Sequence, residues 1–163
     1  LNLHYLGLSG HATGVTNLTD YTTACITMIK RIVFLGNLTI GDSNQTGNLT
    51  VGDGFQVRND GNVLLNVSMS AINLFTSAGN PTVNYRYLVS DAGNGTSNNS
   101  VWINAGTNLV WTNVPAVSTV IVSGLNVTNC YDLVEVDINI TVPTAETAGL
   151  KESTVTFTGS SWA

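Results

Sequence analysis

The chain has 163 residues, 43% of them apolar and only 9% charged, with a net charge of −5. That length can bury a substantial core, while charge falls far below the roughly 25% of a typical soluble domain, so Asn, Ser and Thr must carry the polar surface. The five basic residues, Lys30, Arg31, Arg58, Arg86 and Lys151, are scattered, which argues against nucleic acid or an anionic membrane surface as a partner.

In chain order, residues 1–8 alternate, with Leu1, Leu3 and Tyr5 on one side, Asn2 and His4 on the other, and Gly7, Gly10 and Gly14 beyond. This reads as an extended N-terminal arm over residues 1–20, followed by a single β-sandwich domain over residues 21–163. No basic stretch leads into an apolar one at the start. A secreted form would therefore have lost its leader, with Leu1 as the mature N-terminus.

Candidate strands lie at 1–8, 23–35, 37–41, 47–51, 55–58, 62–72, 82–90, 100–104, 108–112, 117–124, 131–142 and 153–158. Clusters of Gly, Asn, Asp and Ser separate them. Ile26, Ile29, Lys30 and Val33 have helical spacing, but the β-branched content around them favours a strand. Gly36-Asn37-Leu38-Thr39-Ile40-Gly41-Asp42 returns as Gly47-Asn48-Leu49-Thr50-Val51-Gly52-Asp53, which suggests two similar short strands. The polar stretch 91–100 reads as an exposed loop. The apolar stretches 26–35 and 114–125 are interrupted and fall short of the roughly 20 residues of a membrane helix, so no membrane span is expected. Many short strands with turn signals between them predict an all-β fold, an immunoglobulin-like or jelly-roll-type sandwich.

Alternation also sets which side chains face inward. In 63–71, Val63, Leu65, Val67, Met69 and Ala71 share one face, and Asn66 and Ser68 the other. In 134–142, Val134, Val136, Ile138, Ile140 and Val142 point inward, and Asn139 and Thr141 away. Nine Asn-x-Ser/Thr sequons occur, at Asn17, Asn37, Asn44, Asn48, Asn66, Asn94, Asn98, Asn126 and Asn139. Random placement at this composition would give about four. The excess points to N-linked glycans on a secreted protein. In that compartment the two cysteines, Cys25 and Cys130, point to one disulfide, with two free buried thiols as the alternative. It would close a loop of about 105 residues and contribute roughly 4–5 kcal/mol.

Catalytic patterns are scarce. His4 and His11 both lie in the first 11 residues, and no nucleophile elbow, phosphate loop or metal-binding spacing occurs. Glu135 and Asp137 share a strand face, read as solvated rather than as a working carboxylate pair. Asp42, Asp53, Asp60 and Asp91 sit in glycine-rich turns. Such oxygens suit calcium, but Asp is equally the ordinary turn residue, so no ligand set is assigned. The expectation is a chain without cofactor or catalytic site.

Two segments resemble a known family. One is Val57-Arg58-Asn59-Asp60-Gly61-Asn62-Val63-Leu64-Leu65-Asn66-Val67. The other runs from Val136-Asp137-Ile138-Asn139-Ile140-Thr141-Val142-Pro143-Thr144-Ala145-Glu146 through Gly149 to Ser153-Thr154-Val155-Thr156-Phe157-Thr158. Together they resemble secreted archaeal immunoglobulin-like surface proteins, over roughly residues 33–158. The arm, which lies outside that stretch, looks like the donor strand of archaeal thread-like and TasA-like fibres. The resemblance implies an extracellular or cell-surface filament subunit. It would be a homopolymer in which Leu1, Leu3 and Tyr5 of one copy complete the sheet of the next. The alternative is a surface-layer or adhesin domain binding glycan or a host-surface partner, with Tyr85, Tyr87, Trp102 and Trp111 as candidate contacts.

Overall fold

A computed structural model describes residues 22–46, 54–91, 110–128 and 132–162. Among these residues there are no helices, and two antiparallel sheets pack face to face as a β-sandwich. The larger sheet contains β1 (Ile26–Lys30), β2 (Ser43–Gln45), β3 (Phe55–Asn59), β5 (Tyr85–Asp91), β6 (Thr112–Asn113) and β8 (Leu133–Thr141). Its order is β1-β3-β8-β5-β6, and β2 joins β8 beyond the end of β3. The smaller sheet has β4 (Leu65–Ala71) between β7 (Thr119–Leu125) and β9 (Val155–Ser161).

The core follows from alternation. On β4, Leu65, Val67, Met69 and Ala71 are buried, while Asn66, Ser68 and Ser70 face outward. From the other sheet Val57, Tyr87, Val89, Val134 and Val136 meet them. Each Val, Leu and Met among them contributes roughly 1.5–3 kcal/mol on burial. Phe55 and Phe157 close one flank edge to face, with centroids 5.6 Å apart.

Several expectations change. The strand expected over 23–35 is a regular strand only over Ile26–Lys30, with a bulge between Met28 and Lys30 before its last pair, Lys30 with Gln56. Residues 37–41 form a turn, not a strand. Asp42 accepts hydrogen bonds from Thr39 N (2.9 Å) and Thr39 Oγ1 (2.7 Å), and Gly41 takes φ +85°, a region costly for other residues. The strand lies just beyond, at Ser43–Gln45, where all three side chains are exposed and no apolar face announces it. The strands expected at 1–8, 47–51 and 100–104 lie outside the described residues, as does the second copy of the repeat.

The β3–β4 connection accounts for the Asn-Asp-Gly-Asn-Val pattern. Asn59, 2% exposed, points into the sandwich. Its amide donates to Val63 O (2.9 Å), Leu125 O (3.0 Å) and Asn126 O (3.0 Å), and its Oδ1 accepts from Gly61 N (2.9 Å). One side chain thus ties β3 to the end of β7 in the opposite sheet. Gly61 lies so close to the segment before β1 that a Cβ would sit 2.2 Å from Thr23 O. Asn62 completes the seam, with Thr23 N donating to its Oδ1 at 2.7 Å.

Asn59→Ala is expected to destabilise the fold by about 2 kcal/mol, because it strands several buried backbone groups together. Denaturant unfolding measures this. A loss within about 0.5 kcal/mol, the scale of an ordinary surface change, would show that the clamp is dispensable.

Candidate assembly cleft

Strand directions give the sandwich two unlike ends. At the first lie the start of β1, the β3–β4 turn, the end of β7 and the start of β8. Asn59 seals it. At the second lie the ends of β4 and β8 and the starts of β5 and β9. This end is open. A cleft of about 1550 Å³ runs between residues 31–40 and residues 146–155, with Phe55, Phe75, Tyr85, Ile138 and Ile140 at its base.

Neither long wall is a regular strand: Gly36 takes φ +78° in the first and Gly149 φ +139° in the second, and of β9 only Val155 lines the cleft. Val33, Leu35 and Leu38 pack on the core, while Ile32, Phe34 and Ile40 are exposed, yet no ladder is assigned over 31–39. Opposite, β9 pairs with β4 along its whole length, and among the described residues no strand covers its other edge. A sheet edge with unpaired N–H and C=O groups is a template for another strand.

Glu146 anchors the second wall. It is 5% exposed and accepts from Thr76 Oγ1 (2.8 Å), Ser77 N (2.9 Å), Ser77 Oγ (2.6 Å) and Lys151 Nζ. These bonds tie the loop before β9 to the loop after β4. The Lys151 ammonium, then the Ser77 donors, hold its carboxyl well below the usual carboxylate range.

The remaining candidate residues are dispersed. Cys25 is half-buried just before β1, and Cys130 lies outside the described residues. Cys25 O accepts from Asp60 N (3.0 Å) and Asp132 O from Asn59 N (2.8 Å), so Cys25 and Asp132 flank the same end of β3. Asn37 and Asn44 are exposed, Asn37 on the cleft wall. Asn66 and Asn139 face outward from the central strands β4 and β8, and Asn126 is half-buried in the turn after β7. Asn17, Asn48, Asn94, Asn98 and the arm residues Leu1, Leu3 and Tyr5 lie outside the described residues.

Two readings of side chains are corrected. Glu135 and Asp137 are not solvated: they are 2% and 1% exposed. Glu135 accepts from Gly54 N (2.7 Å), and Asp137 accepts from Thr46 Oγ1 (2.7 Å) and Ser90 Oγ (2.8 Å). Tyr85 and Tyr87 are core residues, so they offer no exposed aromatic face to a sugar. Trp111 is half-buried, and Trp102 lies outside the described residues. Asp42 holds its own turn, and Asp60 pairs with Arg58 at 2.6 Å. Among the described residues, no three His, Cys, Asp or Glu side chains gather as metal ligands, and no helix is long and apolar enough to cross a membrane.

No protein-family model matches the chain, and no curated protein matches it significantly.

The Glu146 clamp has a definite pH signature. The carboxyl's ordinary value is near 4.5 and folding depresses it, so its stabilisation is complete above that value and is lost as pH falls below it. Glu146→Gln should lower the denaturation midpoint at neutral pH and reduce the loss of stability on acidification relative to the parent. Parallel pH profiles for the two proteins would refute the assignment.

Proposed function

We propose that the chain is a structural subunit of an extracellular filament, joined by β-strand addition, in which the arm at residues 1–8 of one copy enters the cleft of the next. The cleft beside the open edge of β9 carries this reading. Its volume exceeds the roughly 300–1,000 Å³ of small-molecule sites, and it reaches Val155, where the uncovered edge of β9 begins, an edge of the kind to which a strand can be added. The alternation of Leu1, Leu3 and Tyr5 suits such a strand: one side chain in two turns to the core, and a slip of one residue would bury Asn2 and His4 instead. The two motif segments support membership of the archaeal immunoglobulin-like surface proteins. The excess of sequons supports a glycosylated, secreted chain that acts by assembly and not by catalysis.

Negative-stain imaging of the native protein tests the reading. Filaments are expected, and removal of residues 1–8 should leave soluble subunits that no longer polymerise. Filaments of native appearance from the truncated chain would exclude the arm as linker. Isolated particles from the intact chain would favour the surface-layer or adhesin reading.

Intact mass spectrometry of protein from its native host should give a mass above the 17.2 kDa of the bare chain. A mass at that value would remove the glycoprotein part of the proposal.

A further inference from the structure

We infer that the apolar rim of the cleft, formed by Ile32, Phe34 and Leu150, seats the opposite end of a second copy of this chain. Subunits would then meet head to tail through a surface contact as well as through the arm. The inference rests on the filament reading and adds a contact that the arm does not supply.

Exposure comes first. Ile32 is 78%, Phe34 83% and Leu150 83% exposed, more than any other large apolar side chain among the described residues. All three line the one cleft. Scattered exposed apolar groups are ordinary, but a cluster around a concave site marks an interaction surface. An inserted strand would cover the base of the cleft and the edge of β9. Side chains so far from the core need a broader partner.

The position of the chain ends selects that partner. The described chain enters at the sealed end, where Thr23 pairs with Asn62, and leaves there too, where Trp162 N donates to Leu64 O at 2.9 Å. The cleft lies toward the opposite end, alongside Ile138 and Ile140 of β8, roughly 17–24 Å from Leu133 at the usual strand rise. The 21 residues before Thr22 therefore depart from the end remote from their own cleft. A second copy stacked end to end brings its sealed end, and the root of its arm, directly to the rim. Because the two contacting surfaces differ, the contact does not close on itself and repeats as an open chain.

The chain's own arm is the competing occupant. Residues 9–21 span about 45 Å at full extension, enough to fold back along the body. Sedimentation velocity on the full chain decides between them, from about 1 to about 100 µM, the range in which micromolar contacts appear. The parent should assemble as concentration rises. Phe34→Ser combined with Leu150→Ser should move the onset at least about tenfold higher. Its melting temperature should match the parent, since both side chains are exposed. Leu150→Lys provides a second variant should the double variant melt early. The same onset in parent and rim variants would overturn the inference, as would a parent that stays monomeric throughout.

A chain lacking residues 1–8, run alongside, separates this inference from the filament reading. If the truncated chain fails to assemble while the rim variants assemble normally, the arm reading survives and the rim contact is wrong. If the truncated chain still associates and the rim variants do not, the rim contact stands and the arm is not the linker.

Discussion

Strand β8 is the constraint on which the larger sheet depends. It pairs with β3 and then β2 along one side and with β5 along the other, and it is buried on both faces from Val134 to Ile138. Val134, Val136 and Ile138 fill the core, so Glu135 and Asp137 are buried on the reverse face. A buried carboxylate without partners would cost several kcal/mol, so its hydrogen bonds are obligatory. Gly54 N, Thr46 Oγ1 and Ser90 Oγ supply them. Thr46 Oγ1 also accepts from Ile138 N at 2.9 Å. The acids of β8 therefore fix where β2 ends, where β3 begins and how β5 lies alongside.

Two further buried polar residues define the ends of the sandwich. Asn59 joins the sheets at one end through neutral hydrogen bonds to backbone groups. Glu146 ties two loops together at the other and is charged. Asn59 lies in the segment 57–67 and Glu146 in the segment 136–158. Their roles here are structural: each closes a connection that would otherwise leave buried backbone or carboxylate groups unpaired. Both segments thus contribute to how this sandwich is stitched together.

The asymmetry between the ends gives the molecule a direction. One end is sealed by Asn59 and holds both limits of the described chain. The other has exposed apolar side chains around a cleft, and the uncovered edge of β9 runs from it to the sealed end. Isolated sheets usually protect such edges with charge, proline or a covering segment. Here Thr156, Thr158 and Ser160 on the outer face of β9 are polar, but the cleft side is apolar. The described chain thus begins and ends at the sealed end, away from the cleft.

Alternation by itself determined much of this protein. The inward sets of β4 and β8 were legible because strand side chains have period two and the apolar residues keep that period without interruption. Even the cleft left a trace: Ile32-Val33-Phe34-Leu35 is apolar on both faces, more than a strand with one solvated side can bury. What alternation cannot convey is which backbone lies beside which. Ser43–Gln45 is a strand only because β8 extends past the end of β3 and presents an edge there. Residues 31–39 have strand-like composition but no ladder: β1 makes its last pair, Lys30 with Gln56, one residue from the start of β3. Glu135 and Asp137 look solvent-facing locally, and their partners come from Thr46, Gly54 and Ser90, between 47 and 91 positions away. Periodicity is a property of neighbouring residues. Strand pairing, the covering of polar groups and the separation of the two ends arise from contacts between distant ones, which only the tertiary structure decides.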